Sequence, residues 1–356
     1  MPATPPAPAF DSDFHGGMLL PSLTVESYSL EVRESDGESF VGDRASRTAF
    51  CALLDHWRKK FTAMHGEDDP LGKDPSGELG KKRIDAFLAS GGDAAATVEV
   101  TVEDYAHQLA HVAQTFLKQK TWQGVERIVI GGGFQQSEVG ARSVDRAAEL
   151  LAEAKCRVDV RRLHHHPDEG GLIGWLHIVP ASALRGFDAM LAVDIGGTNA
   201  RCGIVRPNLL KSKDLRKADV VGREKWCHAR DEDATRRVHV IEGIAEMLER
   251  LAEQASREHI RLAPFIGVAC PGVVKKDGAI AAGAQNLPGD WESPSFHLPK
   301  ALAAKIPMVH GQPSRVLLHN DAVVQGLSEL PFTTDVKRWG VLTVGTGLGN
   351  VSFTNR

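Results

Sequence analysis

The chain has 356 residues and a formal net charge of −4, with hydrophobic residues at 42% and charged residues at 25%. These proportions are those of soluble globular proteins, and they supply apolar material for two cores of ordinary domain size. The near-balanced charge leaves no electrostatic footprint for nucleic acid or a membrane surface, and no apolar run approaches the roughly 20 residues a bilayer span needs.

The five cysteines, Cys51, Cys156, Cys202, Cys227 and Cys270, are dispersed, without a CxxC pair or zinc-like spacing. That pattern predicts reduced thiols in a cytoplasmic protein. Residues 1–20 begin rich in Pro and Ala and lack a basic start followed by an apolar stretch, so they read as a disordered leader rather than a secretory signal. Alternation of Tyr28, Leu30 and Val32 with polar residues predicts a strand over 27–33, and Asp36-Gly37 a turn. Residues 45–61 read as an amphipathic helix with Phe50, Leu53, Leu54 and Trp57 on one face, 65–80 as a loop, and 81–89 and 102–119 as helices.

Residues 127–133 form a short apolar run ending in Gly131, Gly132 and Gly133, the pattern of a buried strand whose end stays open. A helix over 138–155, a strand over 158–163 and a Gly-containing helix over 170–179 follow. After a connection at 180–188 the pattern restarts. Strands are expected at 190–193, 201–206, 265–269, 316–318, 340–344 and 351–354, and helices at 234–257 and 322–330. Strands alternating with helices predict α/β layers, in which ligands gather at strand ends.

Two glycine turns lie between strands, Asp194-Ile195-Gly196-Gly197-Thr198-Asn199 and Gly345-Thr346-Gly347-Leu348-Gly349-Asn350. Such turns let backbone N–H groups approach an anion closely, and a neighbouring carboxylate can hold Mg²⁺ against phosphate oxygens. Neither turn opens directly into a helix, which excludes a dinucleotide fingerprint, and no Walker P-loop is present. The consecutive His164, His165 and His166 alternate faces on an extended chain and cannot all meet one ion.

The sequence DxGGTN, a strand ending in Cys270-Pro271-Gly272, then Asn320-Asp321, then GTGxGN resembles the ROK and glucokinase-like sugar kinases of the actin-like ATPase superfamily. The resemblance covers most of residues 125–350. It implies two ribonuclease-H-like lobes with Mg-ATP in the cleft between them. Asp194, Gly196, Gly197, Thr198 and Asn199 would form the first phosphate loop, with Asp194 placing Mg²⁺ directly or through water. Gly345, Thr346, Gly347 and Gly349 would form the second phosphate loop, and Gly131, Gly132 and Gly133 would lie under the nucleotide. Residues 170–175 would be a closing helix, with Trp175 a departure from the family pattern. Asp321 would be the catalytic base; the alternative is a helix N-cap, for which Asn320 and Asp321 are both suited, or the two roles are shared, with Asn320 capping or touching substrate. Asn286, Asn320, Asp321 and Gly272 would face the acceptor, a small-molecule sugar.

In the family, both phosphate loops precede the adenosine strand and closing helix. Here those two elements come first, so the sequence reads as a circular permutation. Its expected lobes are 21–185 together with 340–356, and 189–335. Domain swapping between two copies is the alternative, which makes a homodimer an open expectation. The family's Cys-rich zinc motif and Glu-x-Gly-His sugar segment are absent, so zinc is not expected and the acceptor stays open. A non-catalytic sugar or nucleotide sensor, or an ATPase or phosphatase of the same superfamily, are the alternative functions. Nothing in 1–60 suggests a helix-turn-helix.

Overall fold

The computed structural model describes residues 15–66 and 68–356. In chain order the elements are β1 (Leu23–Tyr28), α1 (Arg47–His65), α2 (Lys81–Ser90), α3 (Gly92–Leu117), β2 (Arg127–Gly131), α4 (Glu138–Glu153), β3 (Asp159–Arg162), α5 (Pro167–Ile173), β4 (Ala189–Ile195), β5 (Ala200–Arg206) and β6 (Asp219–Trp226). There follow α6 (Arg237–Arg257), β7 (Leu262–Cys270), α7 (Leu298–Lys305), β8 (Met308–Val309), β9 (Gln312–Pro313), β10 (Arg315–Asn320), α8 (Asp321–Leu327), β11 (Arg338–Val344) and β12 (Leu348–Asn355). The result is a mixed α/β protein with two principal sheets. Among the described residues no helix is long and apolar enough to cross a membrane.

The chain divides into two compact units. The first takes the described residues up to Ser29, Asp168–Thr334 and Arg356; the second takes Leu30–Pro167 and Asp335–Asn355. The first unit's sheet has the order β10-β7-β4-β5-β6, with β10, β7 and β4 parallel and β4-β5-β6 an antiparallel meander. One face is covered by α6, whose Val240, Ile241, Ile244, Leu248 and Leu251 recur every three or four residues and pack with Leu191, Val193, Ile266 and Val268. On β7, Gly267 leaves no room for a side chain, because an added Cβ would lie 2.2 Å from the ring of the buried Trp175.

In the second unit four strands run in the order β12-β11-β2-β3, an antiparallel hairpin followed by two parallel strands. The same sequence of pairings, hairpin then parallel then parallel, describes β5-β4-β7-β10 in the first unit. The core joins Phe50 and Leu54 of α1, Tyr105 and Leu109 of α3, and Val144 and Leu151 of α4 with Ile128, Ile130, Leu342 and Val344 of the sheet. Ser46 caps α1 by accepting the Ala49 N–H at 3.0 Å, and Ser137 caps α4 through the Gly140 N–H at 3.1 Å. The loop ahead of α2 is gathered by one buried guanidinium: Arg58 donates to Asp69, to the carbonyls of Gly72 and Asp74, and to Ser76.

Several expectations need correction. Residues 1–14 of the expected leader lie outside the described residues, but 15–20 are ordered: the Gly16 N–H donates to the Leu318 carbonyl at 3.1 Å. The first strand ends at Tyr28 instead of running over 27–33, because Ser29 turns left-handed at φ 48°. The helix expected at 102–119 starts at Gly92; its Val98, Val100, Val102 alternation imitates a strand. The expected helix over 170–179 is α5 followed by a 3-10 turn, Gly174–His177. Residues 168–185 pack with the first unit, not with 21–167, because Gly174 lies against the Val324 backbone and Trp175 against Gly267. Strand β6 and helix α7 were not anticipated.

Gly267→Ala forces a methyl group into the Trp175 ring and is expected to destabilise the protein by about 1–3 kcal/mol. Urea denaturation followed by circular dichroism measures this; a midpoint equal to that of the parent would show that the indole has room to move.

Candidate active site

The first glycine turn joins β4 to β5. It closes through the Gly196 N–H donating to the Asn199 carbonyl at 2.9 Å. His228, 2% exposed, braces it from outside the motif: its Nε2–H donates to the Gly196 carbonyl at 2.8 Å, and the Ala229 N–H donates to the Thr198 carbonyl at 3.3 Å. Gly197 lies against Asn286, whose β-carbon would be 3.1 Å from a Cβ at 197.

Asp194 sits at the end of β4 and is 8% exposed. Its Oδ2 accepts from Arg201 of β5 at 3.2 Å. Arg201 also donates through Nε to Asp168 of α5, and Lys225 of β6 reaches the other Asp168 oxygen at 2.9 Å. Four charges of alternating sign are thus held at one end of the sheet. Burial pushes the Asp194 carboxyl up, and Arg201 counters it. Burial opposes ionisation of Asp168 too, but there Arg201 and Lys225 outweigh it and hold the group down to about 2. Gly171 makes room for the arrangement, since a Cβ there would stand 2.8 Å from the Asp194 carboxyl carbon.

Asp321 is the first residue of α8, directly after β10, and is half-buried. No ion pair reaches it among the described residues. Burial drives its pKa up, the Asp194 charge adds to the rise, and the Ala322 N–H and Asn320 side chain act against it, leaving it at about 7. The helix cap is Asn320, not Asp321: Asn320 Oδ1 accepts the Val323 N–H at 3.2 Å. Its amide nitrogen donates to Ser29 Oγ at 3.1 Å and to the Gly272 carbonyl at 3.0 Å. Asn320 is 1% exposed and its side chain is engaged by these partners, so of its two expected roles the structure displays the cap. Gly272, at φ 100°, is required by a close crossing with Ala282, whose carbonyl would be 2.3 Å from a Cβ. Asn286 is exposed, and its amide makes no hydrogen bond among the described residues. Its turn is fixed by Trp291, which donates to the Pro288 carbonyl at 2.9 Å.

In the second unit the β11–β12 turn closes through the Gly345 N–H donating to the Gly347 carbonyl at 2.9 Å. The start of α1 lies against it: the Arg47 N–H donates to the Gly345 carbonyl at 2.9 Å, and Thr48 Oγ1 donates to the Thr346 carbonyl at 3.4 Å. Neither Gly345 nor Gly347 has positive φ, and a Cβ on either would meet nothing closer than 3.6 Å. Neither backbone nor packing demands glycine there; an approaching ligand would. Gly349 lies in β12 opposite Thr343, and Asn350 is buried, bonded both ways to the backbone of Leu30. Gly131 closes β2, while Gly132 (φ 84°) is dictated by packing, a Cβ there lying 2.2 Å from the Val344 carbonyl. Lys81 Nζ donates to the Gly133 carbonyl at 2.6 Å. Lys81, His228 and Ser29 were not singled out in the sequence; each comes from outside the motif it supports. The rings of His164 and His165 meet edge-on, and His166 pairs with Gln136.

No protein-family model and no curated protein matches the chain. Solved structures give partial matches. A proposed N-acetylmannosamine kinase from Listeria monocytogenes is 24% identical over 47% of this chain and 47% of its own, with a TM-score of 0.32. The ROK hexokinase from Thermus thermophilus is 22% identical over 46% and 45%, with a TM-score of 0.29. The inorganic polyphosphate/ATP-glucomannokinase from Arthrobacter sp. strain KM is 24% identical over 46% and 56%, with a TM-score of 0.31. The chain thus spans about half the length of the structures it matches.

The raised Asp321 pKa has a consequence for stability. A folded pKa of about 7 above an unfolded value near 4 means the protonated form is favoured by folding. Its contribution is fully present below about pH 4 and is lost as pH rises toward 7. Asp321→Asn stays neutral throughout, so its melting temperature is expected to exceed that of the parent at pH 8, with the gap closing at pH 4. Melting curves at the two pH values decide; equal curves at both would mean that Asp321 is ionised without penalty.

Proposed function

We propose that the protein is an ATP-dependent kinase that moves a phosphoryl group to a hydroxyl of a small molecule, with a sugar the acceptor class that the motif resemblance favours. The observation that carries the reading is Asp321: a half-buried carboxylate without an ion-pair partner among the described residues, at the end of β10, pushed up to about 7 by burial, with the Asp194 charge adding to the rise. A base poised near operating pH suits proton removal from an attacking alcohol.

In this reading Asp321 accepts the acceptor's hydroxyl proton as the oxygen bonds to the γ-phosphorus and the bond to the β-phosphate oxygen breaks. The backbone amides of 196–199 and 345–347, with the hydroxyls of Thr198 and Thr346, hold phosphate oxygens. The open space around Gly345 and Gly347 supports this assignment. The free amide of Asn286, beside Gly197, offers an acceptor contact. Asp194 would hold Mg²⁺ directly or through water, with one carboxylate oxygen accepting from Arg201 and the other left for the ion. When bound, Mg²⁺ would neutralise charge on the transferring phosphoryl group.

We also propose the actin-like two-lobe architecture with a circularly permuted order. Supporting it, the first unit writes its hairpin β4–β5 ahead of the parallel β7 and β10, while the second writes the parallel β2 and β3 ahead of its hairpin β11–β12.

The test is ADP release from Mg-ATP across a panel of hexoses, amino sugars and other polyols. Release should depend on one acceptor, fall about 10²–10⁴-fold in Asp321→Asn, and show kcat/KM rising with pH through about 7, because the base must be unprotonated. Acceptor-independent phosphate release would make it an ATPase, and nucleotide binding without turnover a sensor.

A further inference from the structure

We infer that Ser29 is a positioning residue for Asp321, carried on a strap formed by residues 15–29; the inference rests on the kinase reading above. Ser29 has φ 48°, a left-handed conformation uncommon for a non-glycine residue. Such outliers persist where surrounding structure holds them, often at functional sites. Here the holding contacts are visible. Tyr28, immediately before it, donates its hydroxyl to the Val274 carbonyl at 3.2 Å and accepts the Val274 N–H at 3.3 Å. The Tyr28 ring lies 5.9 Å from the ring of His319. Further back, His15 Nδ1 accepts the Leu318 N–H at 3.1 Å, and the Gly16 N–H returns to the Leu318 carbonyl at 3.1 Å. His319 Nε2–H donates to the Gly17 carbonyl at 3.0 Å, while its Nδ1 accepts the Asn320 N–H at 2.8 Å. The strap therefore grips 318, 319 and 320 in succession.

Ser29 completes the grip. Asn320 Nδ2 has two hydrogens and two acceptors, Ser29 Oγ and the Gly272 carbonyl, while Oδ1 caps α8 at Val323. With all three contacts made, the amide plane is fixed, and with it the junction of β10 and α8 on which Asp321 sits. Removing Ser29 Oγ leaves a buried amide hydrogen without its acceptor and frees the plane to rotate. A small misplacement of a reacting group is costly: about 1 Å can lose about 10²-fold in rate.

Ser29→Gly tests this role, because glycine accepts the left-handed conformation without strain while the substitution takes away the hydroxymethyl group that receives the Asn320 amide. Two measurements are made on the full chain. The first is hydrogen exchange of the Val323 amide, expected to rise about tenfold while exchange within α6 is unchanged. The second is acceptor-dependent ADP release, with kcat expected to fall about tenfold at unchanged KM for ATP. Unchanged exchange at Val323 overturns the inference whatever the activity. So does an unchanged kcat in Ser29→Gly when Asp321→Asn is inactive. Full acceptor-dependent activity in Asp321→Asn overturns the assignment of Asp321 as the base and Ser29's catalytic part with it, and the exchange result then still decides whether Ser29 fixes the junction.

Discussion

The first unit is organised around negative charge at one end of its sheet. Asp194 and Asp168 would repel each other in a poorly hydrated place, and Arg201 is inserted between them, with Lys225 closing the set. Two acids and two bases balance. That balance draws α5 onto the sheet, recruits the edge strand β6 and explains why position 171 cannot carry a side chain. Ion pairs of this kind contribute more to geometry than to net stability, because desolvation offsets attraction. Among the described residues no cation reaches Asp321, so burial, with the Asp194 charge adding to it, raises that carboxyl toward neutrality, whereas Arg201 and Lys225 outweigh burial at Asp168.

The parts of the sequence that were legible are those in which one local pattern determines the outcome. Asp194 to Asn199 is a glycine turn between two apolar strands, and it folds as one; the β11–β12 turn is the same case. Helix α6 follows its apolar spacing. Legibility fails where partners are distant along the chain. Trp175 looked like a departure in a closing helix, and its meaning lies in Gly267, on a strand far away in sequence. The residues from 168 onward read as a continuation of the preceding strand and helix pattern, yet their contacts are with Asp194, Val324 and Gly267. Strand β6 has only partial burial and one fully buried residue, so it carries no apolar pattern. Asn320 was legible as a motif member and a cap, but not the partners of its amide nitrogen, Ser29 and Gly272, neither of which is near it in sequence.

The division of the chain is also more economical than the linear order of motifs suggests. Each unit contains an antiparallel hairpin bearing a glycine turn and a pair of parallel strands beside it. In the reading we propose, function draws on the hairpin turn of both units but on the parallel-strand ends unequally. The first unit supplies acids, Asp194 and Asp321. The second supplies the open backbone around Gly345 and Gly347. A kinase needs both, anion-binding amides for the donor and a proton acceptor for the hydroxyl.

The tryptophans laid against strand glycines give the molecule an optical property. Trp175 on Gly267 belongs to the first unit and Trp122 on Gly340 to the second. Both are almost wholly shielded, and neither indole nitrogen has a hydrogen-bond partner among the described residues. An indole in such surroundings emits at short wavelength, and its emission shifts red when water reaches it. Each unit therefore carries a shielded, unbonded chromophore laid against its own sheet, and the part of the emission lost when that one tryptophan is replaced by phenylalanine reports on water reaching that unit.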